Sequence, residues 1–167
     1  QAEILKKELL TGRGLPGASL RVTDADGRVV DQWVSDGSPH RITGLTAGET
    51  FRLTELKAPA GYVTAEPVEF TARPGSQEVV MEDAATQVQI LKTESGTGAP
   101  LPGAGLQLAD SEGNIIEEWI SGDEPHRVTG LHAGETYFLR ETAAPEGFIQ
   151  AREMSFVVED SAGVQQI

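Results

Sequence analysis

The chain states its plan twice, and that repetition limits what it can fold into. "GRGLPGASLRVTDADGRVVDQWVSDGSPHRITGLTAGETFRLTELKAPAGY" returns as "GAPLPGAGLQLADSEGNIIEEWISGDEPHRVTGLHAGETYFLRETAAPEGF". Trp33 recurs as Trp119, His40 as His126, Glu55 as Glu141 and Tyr62 as Phe148, each 86 positions on. A constant offset means no insertion between landmarks, so each copy is one structural unit. Residues 1–85 form one complete module. Residues 86–167 form a second whose last strand is cut short. The junction "EDAATQ" is short and carries no Gly/Ser run, which predicts limited hinge freedom.

Within a module, turn signals such as Asp26-Gly27, Asp36-Gly37, Pro59-Ala60-Gly61 and Pro74-Gly75 recur at short intervals. Between them lie short alternating runs: "ASLRVTD", "RVVDQWVS", "HRITGL", "TFRLTEL", "VEFTA", "EVVMED". This spacing predicts an all-β chain with about seven strands per module, in an immunoglobulin-like sandwich. "AEILKKELL" has a helical reading, but its counterpart "VQILKTESG" breaks at Gly96, so the repeat favours a strand in both.

Charge narrows the partners. The chain holds 13 Lys+Arg against 26 Asp+Glu, a net charge of −13. Residues 1–86 carry 9 bases against 13 acids, and residues 87–167 carry 4 against 13. Such acidity argues against nucleic acid and anionic membrane as partners. No apolar run is long enough to span a membrane. There is no cysteine, which excludes disulfides and thiolate metal sites.

Three charges fall in phase with the core. Side chains two apart in a strand share a face. Ala2, Ile4 and Lys6 therefore go together, as do Phe51, Leu53 and Glu55, and Val79, Met81 and Asp83. Module two repeats the pattern with Val88, Ile90 and Lys92, and with Tyr137, Leu139 and Glu141. One such charge marks a strand leaving the core; three on different strands point to a cluster. An ion-pair network is one outcome. The sharper one is chemistry. Burial disfavours the charged forms of an amine and a carboxyl. A neutral amine is a nucleophile. Held against a protonated carboxyl, with a second carboxyl to shuttle protons, it forms an amide with loss of water.

The motifs "ILKKE…GLPGASL" (4–20), "GLTAGETFRLTELKAPAGY" (44–62) and "VVMEDAAT" (79–86) resemble the Cna B-type (SpaA-like) repeat domains of Gram-positive surface adhesins and pilins. "VQILKTE…PLPGAGL" and "GLHAGETYFLRETAAPEGF" carry the same resemblance in module two. The resemblance implies a reversed-immunoglobulin sandwich serving as stalk or spacer in an extracellular protein, anchored to the cell wall through regions outside this segment. It also implies an intramolecular isopeptide bond: Lys6 as the amine, Asp83 as the acceptor, Glu55 as the proton relay. Lys7 and Glu82 have the wrong phase, and Thr93 stands at Lys7's counterpart. In module two Lys92 and Glu141 are present but no acceptor is, since "GVQQI" aligns with the start of the last strand and Asp160 reads as a turn residue. Lys92 and Glu141 are thus expected to form a vacant site.

The expected partners are neighbouring repeats of a parent surface protein. A host extracellular matrix protein, or a strand from another chain at the second module, are the alternatives. The chemistry is single-turnover, so the chain is not expected to be an enzyme. Nothing calls for a cofactor. His40 and His126 lack clustered ligands, so no metal is expected. Trp33 and Trp119 read as core anchors. Asp24 and Asp26 read as a hairpin turn, and "LPGAS" as a strand-entry turn.

Overall fold

The computed structural model describes residues 1–167 and contains strands but no helix. The chain divides into two compact units, Gln1–Ala85 and Thr86–Ile167. Unit 1 has seven strands: β1 (Ala2–Glu8), β2 (Pro16–Thr23), β3 (Val29–Asp36), β4 (His40–Ile42), β5 (Thr50–Lys57), β6 (Val68–Thr71) and β7 (Gln77–Asp83). They form two sheets, ordered β4-β1-β7 and β3-β2-β5-β6. The first strand lies between β4, antiparallel, and β7, parallel. The first and last strands of the unit thus run side by side in one sheet.

The alternation in the sequence is realised as burial. Ile4, Leu20, Val22, Leu53 and Met81 are at most 1% exposed and fill the space between the sheets. Phe51 and Phe70 stack at 5.7 Å between centroids, joining β5 to β6. Trp33, expected to anchor the core, packs against it from the edge. It is only partly buried at the rim of the core, where its ring stacks on His40 at 4.1 Å and 11°. His40 Nε2 also meets Asp31 Oδ2 at 2.9 Å. Since β3 and β4 belong to different sheets, this stack closes one side of the sandwich. Asp24 caps its turn as the sequence suggests, with Oδ1 accepting from the N–H groups of Asp26 and Arg28.

Unit 2 repeats the plan with β8 (Gln87–Ile90), β9 (Gly105–Ala109), β10 (Ile115–Ile120), β11 (His126–Thr129), β12 (Thr136–Ala143), β13 (Met154–Val157) and β14 (Val164–Gln166). Its sheets run β11-β8-β14 and β10-β9-β12-β13. The core holds Val88, Ile90, Leu108, Tyr137, Leu139 and Phe156. Trp119 is again a rim residue, stacked on His126 at 4.3 Å and 12°. β14 pairs parallel with β8, Gln165 lying across from Val88 as Gln77 lies across from Ala2.

Candidate functional site: the buried Lys6–Glu55–Asp83 cluster

Each member of the cluster arrives by strand phase. On β1, Lys6 follows Ala2 and Ile4 inward. On β7, Asp83 follows Val79 and Met81. In the parallel register Lys6 lies across from Met81 and Glu8 across from Asp83, so the Lys6 and Asp83 side chains meet on the inner face. Glu55 comes from the opposite sheet, following Phe51 and Leu53 along β5. The relative exposures are 4% for Lys6, 5% for Glu55 and 1% for Asp83. Three ionisable groups therefore share a space closed to water.

Lys6 Nζ is in direct contact with Asp83 Oδ1. It also lies 3.1 Å from Glu55 Oε1, an ion-pair contact rather than an aligned hydrogen bond. Glu55 is held from behind: its Oε2 accepts from the Ala65 N–H at 2.7 Å. Its other oxygen, Oε1, has no hydrogen-bond donor, and neither does Asp83 Oδ2. Buried unpaired oxygens are costly. Burial is the main force on Asp83 and pushes its carboxyl up to about 6; the Lys6 ammonium opposes this and the Glu55 carboxylate adds to it. A carboxyl near its midpoint at neutral-to-acid pH spends part of its time protonated, the form that an amine attacks.

Sequence phase alone did not point to the surroundings. Pro59-Ala60-Gly61 turns the chain after β5, with Gly61 at φ 85 and the Tyr62 N–H donating to the Pro59 carbonyl at 3.1 Å. A side chain would be strained at that φ. The turn sends residues 62–65 back along the end of β7: Tyr62 bridges Ala85, and the Val63 N–H donates to the Ala84 carbonyl. The Tyr62 hydroxyl is raised above its ordinary value, first by burial and then by Glu8. The only sequence hint of these roles was the motif following Glu55. Lys7 is only half-buried and Glu82 is exposed.

Unit 2 brings the equivalent residues to a different state. Glu141 is 6% exposed, and its Oε2 accepts from the Ala151 N–H as Glu55 accepts from Ala65. Lys92 is half-buried and makes no ion pair with Glu141. Both line an open groove of about 180 Å³ whose apolar walls include Ile90, Leu106, Leu139 and Met154. Lys92 also borders a second depression of about 380 Å³ beside Trp119 and His126. Asp160 is exposed in the segment between β13 and β14, away from either strand. No grouping of His, Asp and Glu suited to a metal ion occurs.

No curated protein matches the sequence. Among solved structures, the chain is similar to the Bacillus anthracis TIE protein, with a TM-score of 0.58 and 18% identity over 99% of this chain. It spans about a third of that protein's length, 33%. It is also similar to the shaft pilin SpaA of Lactobacillus rhamnosus GG, with a TM-score of 0.43 and 13% identity, covering 99% of this chain and 94% of that one. A Streptococcal ancillary pilin matches with a TM-score of 0.42 and 19% identity, covering 99% and 60%. The family model for the SpaA prealbumin-like fold domain matches twice, over residues 1–85 and 86–167. The chain therefore belongs to the SpaA prealbumin-like fold family, with one domain of it in each unit.

Proposed function

We propose that the chain is a structural segment of a bacterial surface adhesin or pilus, and that unit 1 locks itself with an amide between Lys6 Nζ and Asp83 Cγ. The observation that carries this is the direct contact of Lys6 with Asp83 inside a closed core, with Glu55 touching the same ammonium. In the reaction, Glu55 Oε1 takes a proton from Nζ and the amine attacks Cγ of the protonated Asp83. Glu55 passes that proton to the departing hydroxyl, one water leaves, and Glu55 takes the second proton that the nitrogen sheds as the neutral amide forms. The two orphaned oxygens favour this outcome, because the product has fewer buried charges to satisfy. Intact mass spectrometry tests it. The chain should weigh one water less than its sequence, and Glu55→Ala should restore the full mass while keeping the fold. A full unmodified mass for the parent chain overturns the reading.

The segment would sit outside the cell, joined through other regions to the wall and through its ends to neighbouring repeats. A bond formed once per molecule is self-modification, not enzymatic turnover.

A second reading is that Lys92 and Glu141 receive an acceptor carried on a strand in the register of β14, supplied by this protein or by another chain. A strand continuing β14 in its register would set its fourth residue past Ile167 across from Glu94, the place Asp83 takes across from Glu8. A peptide "VVMEDAAT" from unit 1 should then form a covalent adduct mapped to Lys92. Absence of the adduct, with Lys92 as resistant to amine labelling as Lys6, rules the reading out.

A further inference from the structure

The outer face of the β3-β2-β5-β6 sheet carries a feature that the buried cluster does not explain. Arg21 on β2 lies across from Thr54 on β5, and Thr23 lies across from Arg52. The two arginines are thus diagonal neighbours, with Cβ atoms roughly 7–8 Å apart in such a ladder. Neither forms an ion pair, although the chain has twice as many acids as bases. Glu69 on β6 lies directly across from Arg52 without closing on it. Arg21 Nε is shielded from solvent and has no hydrogen-bond partner. Two adjacent guanidinium groups without an ion-pair partner repel each other, and one shared anion would relieve that repulsion. They line an open depression of about 660 Å³ together with Thr23, Thr54, Asp24 and Glu69.

The second unit serves as an internal comparison. Gln107 and Phe138 stand where Arg21 and Arg52 do. The arginine on that face, Arg140, pairs with Glu153, and Gln107 donates to Glu118 at 2.8 Å. The face of unit 2 is internally satisfied; that of unit 1 is not.

We propose that this depression binds an acidic saccharide, whose carboxylate or sulfate is gripped by Arg21 and Arg52. Charge complementarity selects the anion. The rest of the lining selects the sugar. β2 and β5 are inner strands whose backbone groups are consumed by their ladders, so an extended peptide cannot add as a strand here. Glu69 accepts and the threonine hydroxyls donate or accept, which suits a ligand with several hydroxyl groups close around its negative charge, as on a sugar ring. Asp24 is engaged by its own turn and by Arg28, so it bounds the site without competing for the arginines.

The test uses the full chain labelled with ¹⁵N and titrated with trigalacturonic acid, its sulfated form, neutral maltotriose and a tetraglutamate peptide. The two acidic sugars should shift the amides of Arg21, Thr23, Arg52 and Thr54 and leave Gln107 and Phe138 unmoved. The tighter of the two identifies the preferred anion. Arg21→Gln with Arg52→Gln should abolish the shifts. Thr54→Glu, which sets a carboxylate across from Arg21, should weaken binding about tenfold. Thermal melts of both variants should match the parent, since these side chains face outward. The proposal is overturned if neither acidic sugar shifts these amides at millimolar concentration or if maltotriose binds equally well. It also falls if tetraglutamate binds as tightly, or if both variants bind like the parent.

Discussion

Asp83 shows what burial does to one carboxyl. Desolvation raises it to about 6 from an ordinary 3.8, against the pull of Lys6. A raised folded-state value means that the native form holds its proton more tightly than the unfolded chain does. The stability from this group is therefore fully present below pH 3.8 and is lost as pH rises through about 6. Amide formation removes the titrating group and the dependence with it. Glu55→Gln, left unlinked, should show a carbon resonance of Asp83 titrating above the usual range, and a stability that falls from pH 4 toward pH 6. The linked parent should show neither. A variant Asp83 titrating near 3.8 would contradict the role given to burial. The inward phase of Lys6, Glu55 and Asp83 was legible in the sequence, because alternation reports a face directly. That Glu55 is steadied by the Ala65 N–H was not, since a backbone donor leaves no mark in composition.

Among the elements, the turn into β2 is tied to β3 by a buried serine. Ser35 Oγ donates to the Leu15 carbonyl at 2.7 Å and accepts from the Ala18 N–H at 3.0 Å. Ser121 does the same in unit 2 with Leu101 at 2.7 Å and Ala104 at 2.9 Å. Ser35→Ala strands a buried carbonyl and a buried N–H, at a cost of about 1–3 kcal/mol. Urea unfolding of the Glu55→Ala background, where no covalent lock obscures the effect, should read that loss. Leu53→Ala, at 0% exposure in the middle of β5, should cost more, about 2–5 kcal/mol. The strands themselves were readable from period-two patterning and glycine turns. The rim position of Trp33 was not. Tryptophan read as a core anchor, and its ring does pack against the core, but its stacking on a histidine from the other sheet left no mark in the local pattern.

For the molecule as a whole, the two units should differ in durability. The proposed amide, between residues 77 apart, would close most of unit 1 into a loop, worth about 4–5 kcal/mol by the chain-entropy argument used for disulfides. It would also bridge the parallel first and last strands, the pair loaded when the unit is pulled from its ends. Unit 2 has an open groove in the corresponding place. Calorimetry should resolve two transitions, with unit 1 the higher. Glu55→Ala should lower that transition and leave the other in place. Limited proteolysis should cut unit 2 first; earlier cleavage within unit 1 would contradict the lock.

By itself the sequence determined the repeat, the all-β class, the strand count and the face that each charge takes. All of these follow from local periodicity and turn chemistry, which act within a few residues. Tertiary structure alone decided which charges meet. Lys6 and Asp83 touch because β1 and β7 pair in parallel, and Glu55 joins them because two sheets stack, neither of which is encoded in any one stretch. It also decided that Lys92 and Glu141, so like Lys6 and Glu55 in sequence, stay apart. A lysine's partner is set by what packs beside it, and for Lys6 that is the parallel strand bearing Met81 and Asp83.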